Sequence, residues 1–315
     1  MAKTVATRMA FGAEIIEIAK TNENFVVCNA DTKTCGLEKF GKLFPGREFS
    51  FGIAEQNLVG ASAGLAACGN KVFLATFAVF ASMRACEQVR TFVCYPNLNV
   101  TIIGTHAGLQ VGGDGATHAA IEDVAIMRAF PNMTIVQPAD AVAARAVAHA
   151  AVEFTGPLYV RLHRNPVADL YDPETYKFEW GKANTVVDNG SDMTMIVSGI
   201  LLKKAVDAAA ILKEQGINVR VLDMATIKPL DNEAVIKAAK ETGAIMTIED
   251  HTIFGGLGSA VSEVVVQNCP VPMSIVGIQD RFGESGDPEL IYKDHGMDVD
   301  SIVAKAKALV AGKRG

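Results

Sequence analysis

Several things are scarce in this chain, and each scarcity removes a class of function. The 315 residues include one tryptophan and six cysteines, and no two cysteines form a Cys-x-x-Cys pair. That argues against a zinc site. Cys28, Cys68 and Cys94 sit in apolar stretches and read as buried thiols of a reducing cytoplasm. No stretch reaches the roughly 18 consecutive apolar residues that a membrane span requires. The first residues, Met1 to Gly12, lack the apolar core of a signal peptide. Positive charge is not in excess: the net charge is -6, which offers nothing to nucleic acid or to an anionic membrane. There is no Gly-x-Gly-x-x-Gly after a strand, no P-loop and no His-Glu-x-x-His. Internal repeats and low-complexity segments are also lacking.

What is present is an ordinary globular composition, half hydrophobic and one fifth charged. The length suggests two domains. The chain is organised around Gly104 to His118, GTHAGLQVGGDGATH, with two histidines and one aspartate among five glycines. His106, Asp114 and His118 fall there at i, i+8 and i+12. Val100 to Ile103 reads as a buried strand running into this loop, and Ile121 to Phe130 as a helix leaving it. A polar loop between buried strand and helix is where α/β proteins place their sites.

Other segments can be read in order. Lys3 to Lys20 has helical spacing, with Arg8 near its start. Phe25 to Cys28 is a short buried strand that ends in Asn29-Ala30-Asp31-Thr32. Glu55 stands at the first turn of a small-residue helix, Leu58 to Ala67, apolar nearly all round and so expected to be buried. A buried carboxylate there needs a partner or a raised pKa; a surface helix cap is the plainer alternative. Lys71 to Ala75 is a strand that runs into Phe77, Phe80 and Met83. These three share a face if the segment is helical, forming either core or the wall of a pocket for a flat ring. Strands follow at Thr134 to Val136 and Pro157 to Leu162, the second leading to Arg164, a candidate anion clamp. Asn165 to Asp192 shows no period. Beyond it, strands and helices alternate again from Met193 to Val310, which predicts a second mostly parallel sheet.

Taken together, these motifs resemble the C-terminal half of a transketolase, encoded as a separate subunit of a split enzyme. The resemblance rests on Ala6-Thr7-Arg8, Asn29-Ala30-Asp31, Gly52-Ile53-Ala54-Glu55-Gln56, Thr76-Phe77 and Thr105 to His118. The second half adds Lys228-Pro229-Leu230-Asp231, Glu249-Asp250-His251 and Gly255-Gly256-Leu257-Gly258. It implies an α/β fold of two domains, each a mostly parallel sheet flanked by helices. These would be a pyrimidine-binding domain over 1–170, a linker over 171–190 and a transketolase C-terminal domain over 191–315.

The resemblance also implies thiamine diphosphate as cofactor, with Glu55 beside the pyrimidine N1′, where it promotes the imino tautomer. Phe77, Phe80 and Met83 would line the pyrimidine, Met83 standing where a tyrosine is common. His106 and His118 would contact the ketose donor, and Asp114 would read its hydroxyl configuration. Asp31 would join the substrate-binding set, and Arg8 and Arg164 would clamp phosphate, with Cys35 in place of a common serine. Gly113-Asp114-Gly115 begins like a magnesium-diphosphate motif, but no paired asparagine follows it. No residue of this chain is therefore assigned to a metal. Magnesium or calcium, and the cofactor diphosphate, would be held mainly by an N-terminal partner subunit in a cytoplasmic α2β2 heterotetramer. The expected reaction is transfer of a two-carbon ketol unit between sugar phosphates, as in the pentose phosphate pathway. The competing readings are a deoxyxylulose-phosphate-synthase-like enzyme, a 2-oxoacid dehydrogenase β-type subunit and a non-catalytic scaffold.

Overall fold

A computed structural model describes residues 4–32 and 35–313. The first half is built on a seven-stranded sheet. Its spatial order runs Thr226–Lys228, Thr134–Val136, Leu158–Arg161, Val100–Thr105, Lys71–Phe77, Phe25–Asn29 and Glu48–Ser50. All neighbours are parallel except the first pair. The central strand Val100–Thr105 is buried along its whole length, as expected for a parallel strand covered on both faces. From Phe25–Asn29 the chain first moves outward to Glu48–Ser50, then returns to the other side at Lys71–Phe77. This reversal is the switch point at which open α/β sheets form a crevice beyond the strand ends.

The second sheet has five strands in the order Met273–Ile278, Ile245–Thr252, Met193–Val197, Val219–Asp223 and Asn184–Asp188. Only the last, an edge strand, is antiparallel. The two halves are interlocked. Thr226–Lys228 leaves the second half to pair with Thr134–Val136 of the first. In the other direction, Leu109, Val111, Ala119 and Ile121 pack in one apolar cluster with Met195, Val197, Leu201, Ile278 and Tyr292. Burying a leucine such as Leu109 contributes about 1.5–3 kcal/mol, so the Gly104–His118 region is held by both halves.

Four expectations differ in detail. The first helix spans Thr7–Ala19 rather than starting at Lys3, which lies outside the described residues. Thr4–Ala6 is instead a strand, paired antiparallel with Pro166–Ala168. The aperiodic stretch after residue 165 contains that strand and Asn184–Asp188. Cys68 is exposed, and Cys35 joins Cys28 and Cys94 among the buried thiols. The helix Glu55–Ala67 buries one face, through Leu58, Val59, Ser62, Ala63 and Ala66. Its other face leaves Gly64 and Ala67 exposed. Among the described residues, no helix is long and apolar enough to cross a membrane.

Candidate active site

The sheet delivers the candidate residues to one end. Asp31 follows Phe25–Asn29, Phe77 closes Lys71–Phe77, His106 follows Val100–Thr105, and Arg164 lies three residues beyond Leu158–Arg161. All four are at carboxyl ends, where ligands bind. The antiparallel pair Thr4–Ala6 and Pro166–Ala168 sets Ala6 opposite Pro166 and so brings Arg8 beside Arg164. Arg8 Nε donates to the Arg164 carbonyl at 3.1 Å.

His106 adopts φ +61°, in the left-handed region that non-glycine residues rarely occupy and that clusters at functional sites. Its ring is buried, 4.2 Å from that of Phe77 between centroids, and Nδ1 lies 3.0 Å from Thr105 Oγ1. Burial, then the charges of Arg8 and Arg164, push the His106 pKa down to about 4. The ring is therefore neutral near pH 7. His118 is seated edge-on against both Phe77 and Phe80, at 5.8 and 5.3 Å. Between the histidines, Gly108–Asp114 forms 3-10 turns broken by a kink at Gly112, whose φ is +66°. It ends with Asp114 accepting from Arg164 Nη1 at 3.2 Å, while the same nitrogen donates to the Val111 carbonyl.

Glu55 is the first residue of its helix and is 2 % exposed. It makes no capping hydrogen bond; the cap position is Ala54, which has no side-chain acceptor. Instead Arg84 Nη1 donates to Glu55 Oε2 at 3.1 Å, and the Arg84 guanidinium lies 4.2 Å over the Phe80 ring. Phe80 and Phe77 are stacked, with ring planes 21° apart. A flat, N–H-bearing group thus already fits between the Phe80 face and the Glu55 carboxylate. Those residues suit the aminopyrimidine end of thiamine diphosphate. Met83 lies on the same short helix as Phe80 and is 42 % exposed. Phe80–Arg84 is a π-helix. Asp31 is exposed, also in the left-handed region, with its amide bonded to Asn29 Oδ1. Among the described residues, no three His, Cys, Asp or Glu side chains converge to hold a metal.

Two groups of residues escaped the sequence reading. Arg84 is one; its only signal is its place four residues after Phe80. The other is a buried polar knot behind the loop. Arg161 Nε and Nη2 donate to the two oxygens of Asp123 at 2.8 and 3.0 Å, and Tyr159 adds its hydroxyl at 2.6 Å. Burial alone would raise the Asp123 carboxyl, but Arg161 outweighs it and holds the pKa below its ordinary value. The signal was an arginine at the end of an otherwise apolar strand, PLYVRL. Asp250 also belongs to this knot, although its sequence motif carried no role.

Both halves of the chain have counterparts in known proteins. Residues 3–168 match the family description "Transketolase, pyrimidine binding domain", and residues 181–302 match "Transketolase, C-terminal domain". The chain is 41 % identical over 307 residues to a subunit of the apulose-4-phosphate transketolase of Phocaeicola vulgatus, covering 97 % of this chain and 98 % of that one. It is 39 % identical over 300 residues to a 6-deoxy-6-sulfo-D-fructose transketolase subunit of a Clostridium species, covering 95 % and 92 %. A solved structure of a split-gene transketolase, described as an inactive β4 tetramer, superposes with a TM-score of 0.90 at 44 % identity, covering 98 % of this chain and 99 % of that one. The chain belongs to the transketolase family, of which it carries the pyrimidine-binding and C-terminal domains.

Proposed function

We propose that the chain is the C-terminal subunit of a thiamine-diphosphate-dependent transketolase, which moves a two-carbon ketol unit from a ketose phosphate to an aldose phosphate. One observation carries this: a continuous run of contacts from Glu55 through Arg84, Phe80 and His118 to Phe77 and His106, with Arg8, Arg164 and Asp114 all close enough to act on the buried His106 ring, the arginines lowering its pKa and Asp114 raising it. A cofactor face and an anion clamp lie at the two ends of that run.

The cofactor supplies an acidic thiazolium carbon, at which ketol units are taken up and released. The chain's own residues act around it. Glu55 holds a proton against the pyrimidine N1′, and Phe77 and Phe80 pack on that ring and exclude water. Neutral His106, with His118, hydrogen-bonds the donor's oxygens. A buried neutral imidazole can donate or accept there without repelling the two arginines. Asp114 pairs with a donor hydroxyl. A site built to hydrogen-bond discriminates far better than an apolar one. Arg8 and Arg164 take the phosphate or another anion at the far end of the sugar, with Asp31 at the rim.

The diphosphate and its magnesium or calcium fall to an N-terminal partner subunit. The relative named as one subunit of a transketolase, and the split-gene relative, support such a partner. The sulfosugar and apulose-phosphate relatives support a family of donors wider than the pentose phosphates. A cytoplasmic location accords with a reaction on sugar phosphates. The experiment is reconstitution: the chain is mixed with its N-terminal partner, thiamine diphosphate and magnesium, then assayed on a panel of ketose donors. Ketol transfer is expected only from the pair. Absence of transfer from every donor would favour the scaffold reading, and consumption of pyruvate with glyceraldehyde phosphate would favour a deoxyxylulose-phosphate-synthase-like enzyme.

A further inference from the structure

We propose that Asp250, on the second half's strand Ile245–Thr252, is a positioning residue that fixes the donor loop 106–118 and so supports donor selectivity. The inference rests on the split-transketolase reading above. Asp250 Oδ1 accepts from the Leu109 backbone N–H at 3.1 Å, midway between His106 and Asp114. Oδ2 accepts from the Tyr292 hydroxyl at 2.6 Å and lies 3.7 Å from His163 Nε2. The Asp250 carbonyl accepts from Arg161 Nη2 at 3.0 Å. Asp250 and Tyr292 are fully buried, so neither can exchange these partners for water.

The backbone is shaped to this contact. Gly108 has φ +69°, and a Cβ there would overlap the Asp250 carboxylate. Its glycine is therefore needed for close approach as well as for the turn. His163, the third group at this carboxylate, donates its backbone N–H to Thr7 Oγ1 at 2.9 Å, next to Arg8. One carboxylate from the second half is thus tied to the donor loop and lies against the strand end that sets the anion clamp. This gives the second half a part in catalysis without touching substrate. His106, in its left-handed conformation, and Asp114 keep their positions because the segment between them is anchored.

The test has two arms. In the first, hydrogen–deuterium exchange is followed by mass spectrometry on the isolated full chain. Asp250→Ala should speed exchange in the segment 106–115 at least about tenfold, the size expected for losing a hydrogen bond to a charged group. Peptides of the Val100–Ile103 and Met193–Val197 strand interiors should be unchanged. Asp250→Asn keeps an acceptor for the Leu109 N–H and should restore protection to within about threefold. Should Asp250→Ala fail to fold, Tyr292→Phe decides the matter, since it loosens the carboxylate while keeping the ring and is expected to speed exchange in the same segment.

In the second arm, the reconstituted pair is assayed. Asp250→Ala should raise KM for a ketose phosphate donor about tenfold or more. KM for hydroxypyruvate, which lacks the hydroxyl that Asp114 reads, should rise by clearly less than KM for the ketose phosphate. Unchanged exchange in 106–115 for Tyr292→Phe and Asp250→Ala alike, an Asp250→Asn as damaging as Asp250→Ala, or equal losses on both donors would overturn the assignment. An inactive wild-type pair would instead defeat the proposed function, while the exchange arm would still decide the positioning role.

Discussion

His106 and Glu55 are both buried, and their neighbours push them toward different uses. With its pKa at about 4, His106 should remain a neutral hydrogen-bonding ring across the working pH range. Nitrogen NMR of the imidazole should show no titration from pH 8 to 5, and Arg8→Met should raise the midpoint by removing a cation that lowers it. A wild-type midpoint near 6.5 would remove this account. Stability is a poorer readout, and the signs show why. His106 and His251 are both lowered to about 4, so the folded state binds fewer protons than the unfolded one, and stability is lost as pH falls from 6.5 through 4. Asp223 and Glu249 are raised by burial to about 7, so their folded forms bind more protons, and stability is gained as pH falls through 7. The two trends oppose each other in the same window. For Glu55 the useful variant is Glu55→Gln, which keeps the shape but cannot hand over a proton. Mixed with the wild-type partner, it should assemble yet lose at least about a hundredfold in turnover, the low end for an acid–base group. Proton exchange at the thiamine C2, followed by NMR in deuterated water, should slow in parallel. Normal exchange would take Glu55 out of the mechanism.

At the scale of elements, what could be read from the sequence followed its range. Strands such as Val100–Thr105 and Met193–Val197 are buried apolar runs, and a local window suffices to find them. The strand Thr4–Ala6 was read as helix because its partner, Pro166–Ala168, lies far along the chain and leaves no local period. The face shared by Phe77 and Phe80 was legible, whereas the π-helical turn of Phe80–Arg84 was not, since a three-residue spacing presumes an α-helix. His106, Asp114 and His118 were visible because they crowd one glycine-rich loop. The buried knot beneath that loop was hidden because its members, Asp123, Tyr159 with Arg161, and Asp250, come from three separated segments. Its weight can be measured. Arg161→Met leaves the Asp123 carboxylate fully buried with, among the described residues, the Tyr159 hydroxyl as its remaining side-chain hydrogen-bond donor, so the strand end should lose about 3–5 kcal/mol, the cost of breaking one side of a buried ion pair. Urea unfolding of the isolated chain gives the value. A change under about 1 kcal/mol would mean that water or another side chain relieves Asp123.

For the whole molecule, two observations point to one face. Glu55 stands at the proposed cofactor end of the site, and several of the large apolar side chains left exposed lie on neighbouring segments. Ile53 is 79 % exposed and Tyr95 is 85 % exposed, with Phe49, Met83 and Phe92 also open. Met83 and Phe92 belong to the π-helices Phe80–Arg84 and Val89–Cys94, which pack against the Glu55–Ala67 helix. Exposed large apolar side chains gathered on neighbouring elements are what an interaction site needs. Its place beside Glu55 fits a subunit contact that also closes the cofactor site. The isolated chain should then cover this face with copies of itself and turn over no ketose. Light scattering after size exclusion should show a self-associated form for the chain alone and an α2β2 mass once the N-terminal subunit is added, with activity appearing at the same stoichiometry. Ile53→Asp places a charge at a widely exposed position two residues before Glu55. It should weaken both assemblies while leaving the fold of the chain intact by circular dichroism. Full ketol transfer by the isolated chain, or normal α2β2 formation by Ile53→Asp, would place the partner on a different surface.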